Sequence, residues 1–184
     1  MSTTFPRSRK SKLGYNVDQV EDFLEDARRA YTADPNVPNP VNAESIRRMA
    51  FQMQKGGYST THVDAALERL EDAFAARERE QALAQQGDQA WYGRARTSAQ
   101  EILDRLARPD GQKFRSVGAL ATGYARKEVD AFAARLVAYF QHGKPMSIDQ
   151  VRTVTFTPKR GGYDEAQVDV VLDAVIDVML AVRQ

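Results

Sequence analysis

The sequence contains no cysteine among its 184 residues. This absence excludes disulfide frameworks, thiolate nucleophiles and most structural zinc sites, and it fits a reducing compartment. No run of about 18 apolar residues occurs, so we expect no transmembrane helix. The basic residues near the N-terminus are not followed by the apolar stretch of a signal peptide. Together these absences predict a cytoplasmic protein.

Charge of one sign is also lacking, because 26 Lys and Arg residues are balanced by 25 Asp and Glu residues and leave a net charge of +1. That balance gives no general electrostatic attraction for nucleic acid. The two histidines belong to no His-x3-His or Glu-x-x-His pattern, so we expect no metal. The chain also lacks Gly-x-Ser-x-Gly and phosphate-binding glycine-rich motifs. We therefore expect no enzymatic activity, no cofactor and no small-molecule substrate.

What the sequence does contain is one motif, Gly-Tyr-x4-Val-(Asp/Glu), in four copies. Every Gly-Tyr pair is followed by valine five residues after the tyrosine and then by an acidic residue. The four copies are Gly14, Tyr15, Val20 and Glu21; Gly57, Tyr58, Val63 and Asp64; Gly123, Tyr124, Val129 and Asp130; and Gly162, Tyr163, Val168 and Asp169. We number them as motifs one to four in chain order. Self-similarity of this kind predicts a repeat protein.

A phenylalanine precedes each motif, and its distance sorts the motifs into two kinds. Phe5 and Phe114 lie ten residues before their tyrosines, whereas Phe51 and Phe156 lie seven before theirs. Motifs one and three therefore match, as do motifs two and four. The simplest interpretation is a doubled two-motif unit with its seam near Pro109-Asp110-Gly111, a turn-forming triplet.

Each motif has the residue order of a helix start. The glycine predicts a turn with positive φ, and the residue after the tyrosine is a good N-cap in three motifs: Asn16, Ser59 and Asp164, with Ala125 the exception. Three residues further on, Gln19, Glu128 and Gln167 predict capping boxes, with His62 the exception. Tyrosine and valine then form a hydrophobic staple and are expected in the core. The acidic residue lies early in the helix, where its negative charge is expected to interact favourably with the helix dipole.

Helical spacing of apolar residues after each motif predicts an all-α fold. We expect a tandem repeat of short helix, Gly-Tyr loop and amphipathic helix, arranged in two pseudo-symmetric halves. The first half covers residues 1–108, with the motifs at Tyr15 and Tyr58 and a long helical stretch over 60–108 that bends or divides at Gly87 or Gly93. The second half covers residues 109–184, with the motifs at Tyr124 and Tyr163. Short helices are expected at 42–49 and 147–154, and an extended connector at 34–40.

The fourth motif carries a family resemblance. The run from Phe156 to Tyr163, continuing to Leu172 and preceded by Ser147-Ile148-Asp149, resembles the N-terminal domain of the DivIVA family. The resemblance implies a membrane-targeting and self-association module that organises bacterial cell division or polar growth. It therefore implies a non-enzymatic scaffold with protein partners, or copies of itself, and with peripheral membrane contact at the septum or pole.

The resemblance is weaker immediately before the Gly-Tyr pair, where the family has an exposed Phe-Arg pair. The corresponding residues here are Lys12-Leu13, Lys55-Gly56, Ala121-Thr122 and Arg160-Gly161. The long heptad coiled coil that follows the family's domain does not occur in this sequence.

Seven residues outside the motif core are candidate contacts for a membrane or a partner: Arg7, Arg9, Lys10, Lys12, Lys55, Arg160 and Trp91. The cations have two alternative explanations, namely a solvated N-terminal segment and ion pairs with the motif acids. Trp91 is either a partner anchor or part of a packed helix junction. A rival hypothesis is a nucleic-acid-associated helical protein with Arg94, Arg96 and Arg105 as its basic face, although the net charge makes nucleic acid an unlikely partner.

Overall fold

A computed structural model describes residues 5–34 and 40–182. Over these residues the chain forms seven helices and four strands of three residues each. The predicted helical class is therefore confirmed in its main content, while the short strands were not predicted. The chain divides into two compact units, residues 1–85 and 86–184. Most of the expected connector at 34–40 lies outside the described residues.

The first unit holds motifs one and two. Its elements in order are β1 (Leu13–Tyr15), α1 (Val17–Thr32), α2 (Ala43–Arg47), β2 (Met53–Lys55) and α3 (Thr60–Gln86). Strands β1 and β2 pair antiparallel, with Leu13 opposite Lys55 and Tyr15 opposite Met53. The Gly-Tyr pair of motif one thus lies in a paired strand, where sequence analysis placed a loop, and Tyr58 of motif two follows β2 and forms isolated bridges with Arg7 and Tyr15.

The second unit holds motifs three and four. Its elements are α4 (Asp88–Leu106), β3 (Thr122–Tyr124), α5 (Arg126–His142), α6 (Ile148–Arg152), β4 (Pro158–Arg160) and α7 (Glu165–Val182). Strands β3 and β4 pair antiparallel, with Thr122 opposite Arg160. None of the helices, over the residues described, combines the length and apolar character needed to cross a membrane.

The division between the units differs from the seam predicted at Pro109. Helix α4 packs against α5 and α7 and buries Ala95, Ile102 and Leu106, so it belongs to the second unit. The long helical stretch divides at Gly87, which has φ +78 and no side chain to strain that conformation. Gly93 lies within α4 and does not break it.

Most of the predicted helix starts are confirmed at their caps. The Asn16 side chain accepts a hydrogen bond of 3.0 Å from the Gln19 amide at the start of α1. The two predicted short helices appear as α2 and α6, and Asn42 and Ser147 close a full capping box at each. Ala125 precedes α5 without a side-chain cap, because the alanine methyl group cannot accept a hydrogen bond.

The core of the first unit contains two apolar clusters. One gathers the motif residues Val20, Tyr58 and Val63 with Val17. The other lies further along the helices and includes Phe23, Ile46 and Phe74. Beside it a buried ion pair joins α2 to α3, with Arg47 Nε 2.8 Å from Glu71 Oε1.

Candidate functional site

The two Gly-Tyr segments of each unit bind each other through reciprocal backbone hydrogen bonds. In the first unit the Tyr15 amide donates to the Tyr58 carbonyl and the Tyr58 amide donates to the Tyr15 carbonyl, both at 2.9 Å. In the second unit the same exchange joins Tyr124 and Tyr163, at 2.9 and 2.8 Å. Motif one is thus paired with motif two, and motif three with motif four.

The phenylalanine before each motif packs on the tyrosine of the other motif in its unit. Ring centroids of Phe5 and Tyr58 are 5.4 Å apart, and those of Phe51 and Tyr15 are 5.5 Å apart. The second unit repeats this exchange, with Phe114 on Tyr163 at 5.3 Å and Phe156 on Tyr124 at 5.2 Å. Sequence analysis assigned each phenylalanine to its own motif and did not foresee the exchange.

The motif glycines serve close backbone approach, so the expected positive φ is wrong. None of the four glycines beside the tyrosines has positive φ; that conformation occurs one residue earlier, at Gly56 and Gly161. A Cβ on Gly14 would lie 2.3 Å from the Tyr58 carbonyl oxygen, and one on Gly123 would lie 2.1 Å from that of Tyr163. Only glycine allows the two segments to come this close.

The motif acids accept hydrogen bonds from tyrosine hydroxyls of the opposite motif. Tyr163 donates to Asp130 at 2.8 Å and Tyr58 donates to Glu21. The same exchange occurs in the other direction, from Tyr15 to Asp64 and from Tyr124 to Asp169. Burial, reinforced by the bond to Asp130, raises the pKa of Tyr163 to about 12. Among the described residues, the acids form no ion pair with the loop cations Lys12, Lys55 and Arg160 of their own motifs, which was one of the two alternative explanations for those cations.

A second exchanged contact replaces the expected capping boxes. The residue three positions after each N-cap accepts a hydrogen bond from the amide that follows the opposite phenylalanine. Gln19 accepts from Gln52 at 2.8 Å, Glu128 from Thr157 at 2.8 Å, and Gln167 from Arg115 at 3.1 Å. The fourth position differs: it is held by His62, and the residue after the opposite phenylalanine is Pro6, which has no amide hydrogen. We call this contact the clamp.

One clamp predicts a pH dependence. The bond from the Thr157 amide lowers the pKa of Glu128 below its usual 4.5, so its contribution to stability is present above about pH 4.5 and is lost as the pH falls through the lowered pKa. Glu128→Gln keeps a neutral acceptor, and we expect its urea midpoint to fall less than that of the wild type between about pH 5 and pH 3. Glu101→Gln on the exposed face of α4 is the control, and an equal fall in all three proteins would contradict the assignment.

Burial of the motif residues is unequal. The four valines are buried, as are Tyr58 and Tyr163, whereas Tyr15 and Tyr124 are half-buried. The expectation that all four tyrosines lie in the core is thus correct for only one tyrosine of each unit. The motif glycines, tyrosines and acids make contacts between the two paired segments, so the role of the motif is to hold these segments together.

Pairing brings two loops side by side at an exposed surface of the first unit, which we call the first tip, residues 9–13 and 53–56. The Gly56 amide donates to the Lys12 carbonyl at 3.0 Å. Five cations lie on or beside this tip with exposed side chains: Arg7, Arg9, Lys10, Lys12 and Lys55. Leu13 is 57% exposed and Met53 is 50% exposed. The first tip is therefore both cationic and apolar.

The N-terminal segment of the first tip is fixed by its backbone. Ser8 donates its amide to the Gly57 carbonyl at 2.8 Å, and Arg7 forms a bridge with Tyr58 and lies 5.2 Å over the Tyr58 ring. The backbone of residues 5–12 is therefore held in place and does not fray, while the side chains of its cations are exposed. Within the described part of the chain, Lys12, Lys55 and Arg160 make no ion pair.

The equivalent surface of the second unit, which we call the second tip, comprises residues 118–122 and 158–161. Leu120 is 88% exposed, and the cations Lys159 and Arg160 are exposed on the adjacent strand. Arg126 donates twice to the Gly161 carbonyl, at 2.9 and 2.5 Å. Sequence analysis missed Leu120, although its place in the short apolar run 119–121 before a motif was a usable signal.

Trp91 lies at a packed helix junction. Its indole nitrogen donates to the Ala181 carbonyl at 3.1 Å, and the Arg94 guanidinium lies 5.6 Å over its ring. The groove between α4 and α7 beside it has a volume of about 320 Å³, with Ser98 and Asp177 among its lining residues. These contacts agree with the helix-junction explanation for Trp91.

Within residues 5–34 and 40–182, no group of His, Cys, Asp or Glu side chains is arranged to hold a metal ion. Comparison with known proteins found no match among protein families, curated proteins or solved structures.

Proposed function

We propose that this chain is a non-enzymatic interaction protein in which a two-motif unit has been duplicated in tandem. The exchanged contacts of motifs one and two recur between motifs three and four at equivalent positions, which supports the duplication. On this proposal the two halves are pseudo-symmetric, and each forms within one chain the pairing that two chains would otherwise make.

The first tip is the surface that we propose for binding. The observation that carries the proposal is the cluster of five exposed cations beside exposed Leu13 and Met53. Each cation near an anionic lipid surface contributes about 1 kcal/mol, and apolar side chains add burial at the interface. A peripheral contact with an anionic membrane fits this chemistry, and an acidic protein surface is the second kind of partner.

The resemblance to the DivIVA family supports a role in bacterial cell division or envelope growth. On that proposal the chain lies in the cytoplasm and touches the membrane from that side, at the septum or the pole. A fluorescent fusion in dividing cells tests the role, since a diffuse signal throughout the division cycle would contradict it.

Liposome co-sedimentation tests the first tip. The triple variant Lys10→Gln, Lys12→Gln, Lys55→Gln removes three tip charges, and we expect its partition onto vesicles with anionic lipid to fall roughly 100-fold, since three charges contribute about 3 kcal/mol. The control Arg28→Gln, Arg69→Gln, Arg96→Gln removes the same charge from exposed helical positions and is expected to bind like the wild type. Equal recovery of the wild type in the supernatant with and without anionic lipid would end the membrane proposal.

A further inference from the structure

Three of the four exchanged junctions carry the clamp, and the fourth cannot. At every junction the amide after the tyrosine donates to the carbonyl after the opposite phenylalanine, at 2.7 Å for Asn16 and 2.9 Å for Ser59. The return bond to the side chain three positions later is present at Gln19, Glu128 and Gln167. At the remaining junction, Pro6 has no hydrogen to donate and the His62 ring instead faces Ser59 Oγ at 2.9 Å.

We propose that Pro6 and His62 are specificity determinants that keep motif one paired with motif two. Pro6, which has no amide hydrogen, and His62, whose ring Nδ1 pairs with Ser59 Oγ, hold the donor and acceptor positions of the same junction, so only one junction is left without a clamp. If motif one paired with motif four instead, Gln167 would face Pro6. Motif two would then pair with motif three, and His62 would face Arg115. The observed pairing completes three clamps and this alternative completes two.

The other exchanged contacts cannot make this choice, because all four motifs supply them. Each motif has the glycine that permits close approach, the tyrosine, the acid and the upstream phenylalanine. The two kinds of phenylalanine spacing leave the alternative open as well, since motifs one and four also differ in spacing. Among these shared contacts and the clamps, only the clamp positions discriminate between the two pairings. This discrimination concerns pairing between motifs and does not depend on what the tips bind.

Cysteine competition in the full chain tests the proposal, because the chain has no cysteine of its own. Leu13 lies opposite Lys55, and Arg160 holds the position equivalent to Lys55 in motif four. In the triple variant Leu13→Cys, Lys55→Cys, Arg160→Cys, residue 13 forms a disulfide with residue 55 in the observed pairing and with residue 160 in the alternative. Facing residues of antiparallel strands lie about 4.5–5.5 Å apart at Cα, which is within the range of about 4.4–6.8 Å that disulfides span.

The protein is oxidised at its urea midpoint, where the paired segments separate and can pair again, and the ratio of 13–55 to 13–160 disulfides is measured by peptide mapping of monomers and dimers together. We expect Pro6→Thr to lower this ratio roughly fivefold, the effect of about one hydrogen bond. His62→Gln is expected to do the same, since either change equalises the number of clamps. Pro145→Thr and His142→Gln, which alter no clamp, are the matched controls.

Two results would overturn the proposal. One is a ratio that Pro6→Thr and His62→Gln leave unchanged or shift no more than the controls. The other is the absence of the 13–160 disulfide in every background, since the connection along the chain would then fix the pairing by itself. A double-mutant cycle gives an independent readout: Pro6→Thr with His62→Gln creates the fourth clamp, and the two changes should couple by roughly fivefold in the unfolding equilibrium constant.

Discussion

Alanine in place of Gly123 is expected to destabilise the second unit by about 3 kcal/mol or more, at the upper end of the range for overpacking. The new Cβ would lie 2.1 Å from the Tyr163 carbonyl oxygen. That oxygen already accepts a hydrogen bond from the Tyr124 amide. Neither Gly-Tyr segment can therefore move away from the other without loss of the reciprocal hydrogen bonds. Urea unfolding followed by tyrosine fluorescence and circular dichroism measures the change in the free energy of unfolding.

Gly118→Ala is the matched control for this change. Gly118 lies in the second tip, and a Cβ there meets nothing within 4 Å. Its effect should stay within about 0.5 kcal/mol, as for other surface substitutions. If both variants lose the same stability, the close approach of the two segments does not explain the motif glycine.

The helices of this fold can be predicted from local signals because those signals act within a few residues. Asn42 and Ser147 satisfy amides of the turn that they precede. Gly87 divides the long helical stretch because its positive φ strains any residue with a side chain. None of these predictions requires knowledge of which segments meet.

The exchange between motifs could not be predicted in the same way. Helical spacing places Tyr15 and Val20 together whether or not Tyr58 joins them, and a three-residue strand has no periodicity to detect. A signal was nevertheless present: the one proline after a motif phenylalanine, Pro6, occurs in the same pair of motifs as the one histidine at the clamp position, His62. Their meaning depends on the exchange, which only the tertiary structure displays.

The burial of equivalent motif residues is equally hidden from the sequence. Asp130 and Asp169 occupy the same motif position, yet Asp130 is buried and Asp169 is exposed. The difference arises because the turn at Gly111 and the segment at Lys113 cover one side of the second unit. Gly111 donates its amide to Asp130 at 2.8 Å, and the Lys113 side chain donates to the carbonyls of Leu106 and Arg108.

This asymmetry predicts that Asp130→Ala destabilises the second unit by roughly 2–4 kcal/mol, the effect of leaving buried polar groups without partners. The Tyr163 hydroxyl is fully buried, and without Asp130 it retains only a 3.3 Å contact with the Lys113 amide. The Gly111 amide loses its acceptor as well. Because the bond to Asp130 raises the pKa of Tyr163, the same variant should lower that pKa from about 12, which ultraviolet titration measures.

Asp169→Ala is the control at the equivalent position of the same unit. Asp169 is exposed as a residue, although its carboxyl group is partly desolvated, and it receives the hydroxyl of half-buried Tyr124, so water replaces the lost partner and the change should stay below about 1 kcal/mol. Burial raises the pKa of Asp169, which means that its charged form is disfavoured by folding at neutral pH and removal relieves that penalty. Equal losses for Asp130→Ala and Asp169→Ala would show that the motif acid acts by position in the helix alone, as the dipole explanation requires.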